Sequence, residues 1–293
     1  MTAAIEAEFR EAGVRGWLHA LDLDSGAQLG VGAEEPVVLA SVFKVPLLVA
    51  FFRRAAAGAL DPREQVTLPP ASRIAGPTGT SVLLDDVRMS LRDLACLMIT
   101  VSDNTAAEAV LDRVGLPAVN RALAELGLTR TRVVAGAREL HASMLADAGV
   151  ADAADLWARI GEPGMTARLS ALDPARATRG TPRDMTALLA AIWRDEAAPP
   201  ESCALMRRML GLQVWPHRLA SGFPYDDVLV SGKTGTLPTL RNEIGVVEYP
   251  DGGRYAVAVF TRSRSTAATL PRADAVIGTT ARLAIHSLRT HTG

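Results

Sequence analysis

Two lysines stand among 31 basic residues, and the other 29 are arginine. An arginine side chain does not release its proton in a protein, whereas a desolvated lysine does so readily. Lys44 and Lys233 are therefore the positions where the sequence has kept a side chain able to act as a base. Each has a distinctive neighbourhood: Ser41-Val-Phe-Lys44 and Gly232-Lys233-Thr234-Gly235. A serine three residues ahead of a lysine shares a helix face with it, one turn away. A hydroxyl becomes a useful nucleophile only when a neighbouring base takes its proton. Lys233, converging on the same place, would be the second cation that helps Lys44 stay neutral. Taken alone, Ser41 would equally serve as a helix cap with Lys44 reaching out to water.

A third group, Ser102-Asp103-Asn104, follows an apolar helix and precedes another, where it would direct a hydroxyl and a carboxamide into a cleft or simply cap the second helix. Gly-Lys-Thr also closes phosphate-binding loops, but that pattern needs a glycine where Asp227 stands and a helix where Pro238 follows.

Bulk composition narrows the classes. Net charge is −1, apolar residues make up 48% and aromatics 4%, with no basic block. Nucleic-acid and membrane-surface partners have no electrostatic support. The apolar run from Pro36 to Phe52 is broken by Lys44 and is short for a membrane span. The first residues lack the pattern of an export signal, giving an expectation of a cytoplasmic location. Two distant cysteines, Cys96 and Cys203, and five scattered histidines argue against a disulfide or a metal centre; Cys96 is expected to be a buried apolar residue.

Periodicity supplies the frame. Helices are expected at 2–12, 42–57, 91–101, 105–114, 117–126, 183–193 and 272–288. Strands are expected at 17–23, 28–31, 228–231, 244–249 and 255–261, with Pro250-Asp-Gly-Gly253 as the last hairpin turn. The fold class is α/β (α+β): an antiparallel sheet formed by both termini with flanking helices, plus an inserted all-helical lobe. The expected division is 1–60 with 212–293 as the sheet lobe and 61–211 as the helical lobe.

Three motifs in this order and context match the penicillin-recognising serine enzymes. Over roughly residues 15–290 the chain resembles class A β-lactamases. The resemblance implies a nucleophile at Ser41, a base or relay at Lys44, and a proton donor to the leaving nitrogen at Ser102. It implies substrate contacts from Asn104, Lys233, Thr234, Gly235 and Thr236, and an oxyanion hole from the N–H groups of Ser41 and Thr236. A carboxylate-binding arginine is expected at Arg241, with Arg218 as the alternative. No cofactor is implied, and the implied partner is a small molecule, a β-lactam or a related carboxylate-bearing amide or ester.

One element of that family departs. A Glu-x-x-Leu-Asn motif ahead of a Thr-Pro pair activates the deacylating water in class A β-lactamases. Counting back from Thr181-Pro182 by the family's spacing lands on Met165. The nearest carboxylates, Glu162 and Asp173, could act only if the loop were re-spaced. The resemblance therefore leaves three activities open: a serine hydrolase, a D-alanyl-peptidase-like hydrolase or acyltransferase, and a penicillin-binding sensor that is acylated and stays so.

Overall fold

The computed structural model describes residues 1–291. Helix α1 (Thr2–Glu11) leads into strands β1 (Val14–Asp22), β2 (Gln28–Val31) and the short β3 (Val37–Val38). A 3₁₀ turn over Ala40–Phe43 then enters α2 (Lys44–Ala56). The middle of the chain carries β4 (Gln65–Leu68), β5 (Val87–Ser90), α3 (Leu91–Thr100), α4 (Asn104–Val114) and α5 (Leu116–Glu125). It continues through α6 (Ala137–Ala148), α7 (Ala153–Arg159), α8 (Met165–Arg168), β6 (Arg179–Gly180), α9 (Pro182–Trp193) and α10 (Pro200–Gly211). Strands β7 (Leu229–Leu237), β8 (Leu240–Glu248) and β9 (Arg254–Ser263) and helix α11 (Pro271–His291) close the chain.

The five-stranded sheet runs β2-β1-β9-β8-β7, with every neighbouring pair antiparallel. Its central strand β9 pairs β1 from Val14↔Ser263 to Asp22↔Tyr255, so the two ends of the sequence are joined along nine residue pairs. One face packs on α1 and α11 through Ile5, Phe9, Val257, Val259, Ile277 and Ile285. The other face meets α9 and the buried α2, whose Val45 to Phe52 are all enclosed. Strand β8 is buried along nearly its whole length, which explains its continuous rather than alternating pattern.

The middle is not wholly helical. Val66 and Leu68 of β4 alternate with exposed Gln65 and Thr67, and β4 pairs β5 from Gln65↔Ser90 to Leu68↔Val87. Four residues each are too short for periodicity to reveal. The helix expected from residue 42 begins at Lys44, and Ser41 lies three residues ahead of it in the 3₁₀ turn. Cys203 is buried, whereas Cys96 is half-buried. Among the described residues no helix is long and apolar enough to cross a membrane, and no group of three or more His, Cys, Asp and Glu could hold a metal ion.

Candidate active site

The site forms where the 3₁₀ turn, the α3–α4 loop and β7 meet. Gly235 allows the approach: a Cβ there would stand 2.7 Å from the carbonyl oxygen of Leu39. With glycine the strand comes close to the turn, so Thr236 and Ser41 line the same two cavities. Among the described residues, two of the four non-glycine positions with positive φ belong here, Ala40 at 48° and Ser102 at 58°. Strained backbone of this sort persists where surrounding contacts enforce it.

Ser102 is held from both sides. Lys44 Nζ donates to its carbonyl oxygen at 2.8 Å and contacts its Oγ at 3.2 Å, while Lys233 Nζ donates to the same Oγ at 2.9 Å. Lys44 also donates to Asn104 Oδ1 at 2.9 Å, and Lys233 to the carbonyl of Thr234 at 2.8 Å. The loop is tied down by Asp103, which caps α4 through Ala106 N–H at 3.0 Å and accepts from the backbone and hydroxyl of Thr80 at 2.6 and 2.7 Å. Asp103 is thus an anchor, fully buried, while its neighbours reach the cleft.

Both lysines are completely buried. Burial drives the Lys44 ammonium down to about 7, against the upward pull of the Asp103 carboxylate. Burial, then the nearby Lys44 charge, also depresses Lys233 well below the ordinary lysine range. At neutral pH Lys44 therefore has a substantial free-amine fraction within reach of a serine hydroxyl.

A cavity of about 250 Å³ opens beside these groups, lined by Ser41, Ser102, Arg218, Thr234 and Thr236 on its polar side. The structure also separates the two arginines. Arg218 is buried and donates to Thr236 Oγ1 at 2.9 Å and to the carbonyls of Gly235 and Asn242 at 3.0 Å each; Asp274 anchors its Nε at 2.7 Å. Arg241 instead grips the carbonyls of Leu240 and Ala268 at 2.9 and 2.8 Å and lines neither cavity at Ser41. Arg241, the arginine preferred from the sequence, ties β8 to the segment after β9, and Arg218, the alternative, is the one that lines the cleft. Sequence distance concealed this, since Arg218 lies 17 residues before Gly235 in an irregular loop.

Trp215 is a wall residue that motif reading passed over. It lines the same cavity with Val101 and Pro77 opposite, stands edge-on to His217 at 6.1 Å, and its buried indole N–H has no partner.

The other side of Ser41 is different in kind. A cavity of about 90 Å³ is bounded by Ser41 and Asn104 on one side and by Ala135, Gly136, Ala137 and Leu140 on the other. This stretch enters α6, where Glu139 accepts from the Gly136 N–H at 3.2 Å and so faces its own helix end. Glu108 accepts from Arg138 N–H at 3.0 Å, and a Cβ on Gly136 would meet its carboxylate at 2.8 Å.

Met165 does not line this cavity; it is buried with Leu156, Leu169 and Leu172 in a cluster that also holds Val38 and Ala177 of the cavity wall. Glu162 is paired with Arg159 at 2.9 Å, and Asp173 accepts from Ala175 N–H at 2.9 Å within its own turn. None of the three lines either cavity at Ser41. The family's spacing misleads here because α7, α8 and most of α6 intervene between the wall and Thr181-Pro182. The stretch that lines the cavity beside Ser41 includes Ala137 and Leu140 of Ala137-Arg-Glu-Leu140-His141, and its one acid, Glu139, is not among the lining residues.

Comparison with known proteins agrees with this architecture. The family described as the beta-lactamase enzyme family matches residues 1–288. The chain belongs to that family. It is 36% identical over 290 residues to the beta-lactamase regulatory protein BlaB of Streptomyces cacaoi, covering 93% of this chain and 92% of that protein. It is 27% identical over 287 residues to a beta-lactamase of Streptomyces albus G, covering 95% of this chain and 82% of the relative. The crystal structure of a beta-lactamase from Sphaerobacter thermophilus DSM 20745 superposes with a TM-score of 0.78 at 26% identity, over 98% of this chain and 96% of that one. The family model and the relatives thus give the beta-lactamase family and the solved structure gives the shared fold, although one relative carries a regulatory name.

Proposed function

We propose that this protein is a serine acyl-enzyme former that reacts with a β-lactam, or a related carboxylate-bearing amide or ester, and holds the acyl group on Ser41 instead of releasing it rapidly. The observation that carries this reading is the asymmetry around Ser41: two buried lysines and Ser102 on one side, and Ala135–Leu140 with no carboxylate lining the cavity on the other.

The groups present suffice for acylation. Lys44 Nζ takes the Ser41 hydroxyl proton as Oγ bonds to the substrate carbonyl carbon. The resulting oxyanion lies against the N–H groups of Ser41 and Thr236, donors placed where charge develops. As the carbon–nitrogen bond breaks, the nitrogen takes the Ser102 Oγ proton, which Lys44 returns through its 3.2 Å contact. Lys233, 2.9 Å from the same oxygen, favours the transiently deprotonated hydroxyl. Thr234, Thr236 and Arg218 offer a cationic cradle for the substrate carboxylate. Gly235 contributes backbone only, and Asn104 lines both cavities.

Hydrolysis of the ester needs a base for water on the side of the smaller cavity. Ala137 supplies none, and similarity to a beta-lactamase regulatory protein favours retention of the acyl group as a signal. Intact mass after mixing with benzylpenicillin tests the reading: one penicilloyl group per chain, on the Ser41 peptide, should form within minutes and persist for hours. Many turnovers without an accumulating adduct would favour a hydrolase. Absence of any adduct would favour an ester substrate or the acyltransferase alternative.

A further inference from the structure

The two segments that bring Ala135–Ala137 and Ala177–Thr178 to the smaller cavity also line a second hollow, at Arg132 and Arg179. It is an open cavity of about 590 Å³ and shares no lining residue with either cavity at Ser41. Arg132 and Arg179 are paired across antiparallel backbone: the Arg132 N–H donates to the Arg179 carbonyl at 2.9 Å, and the Arg179 N–H to the Arg132 carbonyl at 3.0 Å. Residues paired in this way send their side chains to one face, and both of these line the cavity. Like charges directly opposite each other repel and destabilise the pairing. No protein acid offsets this repulsion. Among the described residues neither guanidinium has an ion pair or a side-chain hydrogen bond.

The acids close by are already taken. Glu34, the one acidic lining residue, is ion-paired with Arg130 at 2.5 Å and also with Arg183. Asp184 accepts the hydroxyl of the lining residue Thr131 at 2.7 Å. Two guanidinium forks thus share one face, with Arg132 exposed and Arg179 half-buried. A carboxylate has two oxygens and matches one fork, whereas a phosphate group has the oxygens and the charge to match both. The rest of the lining suits an organic group attached to that phosphate. Pro36, Ala124 and Leu128 give the cavity an apolar side, and its volume falls within the range of about 300–1,000 Å³ usual for small-molecule sites. We propose that this cavity binds a small phosphate monoester, its phosphate held by Arg132 and Arg179 and its organic part against the apolar side. The proposal is independent of the acylating role of Ser41.

A ³¹P NMR titration of phenyl phosphate with the whole protein tests this, at physiological ionic strength so that diffuse attraction is screened. The phosphorus signal should shift saturably, with a dissociation constant in the millimolar range or tighter. Arg132→Gln and Arg179→Gln should each weaken binding about tenfold, the scale of one lost charge-assisted hydrogen bond. Arg132→Lys, which keeps the charge but not the fork, should weaken it by less. Arg130→Gln removes a guanidinium already paired with Glu34 and should change the affinity far less than either. Inorganic phosphate should bind at the same arginines more weakly than phenyl phosphate; equal affinity would overturn the monoester and leave a site for free phosphate. Benzoate, with one carboxylate on the same ring, should compete only weakly, and competition as strong as that of phosphate would overturn the two-fork reading. No saturable shift with the unaltered protein would overturn the proposal. So would an affinity unchanged in Arg132→Gln and Arg179→Gln, which would place the anion elsewhere, as at Arg218.

Discussion

The two sides of the Ser41 cleft are built on opposite principles. Toward β7 and the α3–α4 loop, three buried cations and several hydroxyls interlock within hydrogen-bonding distance. Toward α6, the wall is two alanines, a glycine and a leucine around about 90 Å³, space for roughly three waters at about 30 Å³ each. Buried charges are costly and persist when each is satisfied by partners. One side has retained that expensive arrangement, while the smaller cavity is lined by hydroxyls and an amide but no carboxylate. Acylation and deacylation are chemically similar steps, yet in the function proposed here only the first is given a proton acceptor, Lys44.

The comparison can be broken at its charged side first. Ser41→Ala should abolish penicilloyl labelling altogether in intact mass, and labelling elsewhere on the chain would remove the nucleophile from the account. Lys44→Arg should slow acylation by on the order of 10²–10⁴-fold, the usual worth of a positioned base, because a guanidinium cannot accept the proton. Stopped-flow rates would measure this.

The bare side allows the reverse experiment. Ala137→Glu places a carboxylate in the smaller cavity at the one wall position with a Cβ at the helix entry and no glycine constraint. It should speed loss of the acyl group by about tenfold or more, read as decay of the adduct after excess penicillin is removed. An unchanged lifetime would show that the missing acid is not what limits release.

Arg218 and Arg241 sharpen the comparison further. Arg218→Ala should weaken saturation by carboxylate-bearing substrates by about tenfold, the scale of one charge-assisted hydrogen bond. Arg241→Ala should leave saturation nearly unchanged and lower the melting temperature. The smallest effect concerns pH. With Lys44 depressed to about 7, acylation should rise as pH increases through that value and level above it, falling about tenfold per unit below.

Residue type and order made one side of the cleft readable from the sequence. Ser41, Lys44, Ser102 and Lys233 stood out because lysine is rare here and their spacing is local. The sheet joining both termini was legible because β1, β8 and β9 are long and apolar. The other side was not. The wall at Ala135–Leu140 carries no reactive side chain, and α6 to α8 displace it from the spacing that points to Met165. Arg218 is hard to place from the sequence because its contact with Thr236 crosses a loop without periodicity.

The asymmetry itself is tested most directly by a pulse and chase on the unaltered protein. A short exposure to labelled benzylpenicillin, followed by excess unlabelled drug, yields both the acylation rate and the lifetime of the Ser41 ester from one sample. The account predicts stoichiometric labelling within minutes and label retained for hours. A burst followed by steady release of hydrolysed product, many equivalents per chain, would contradict it.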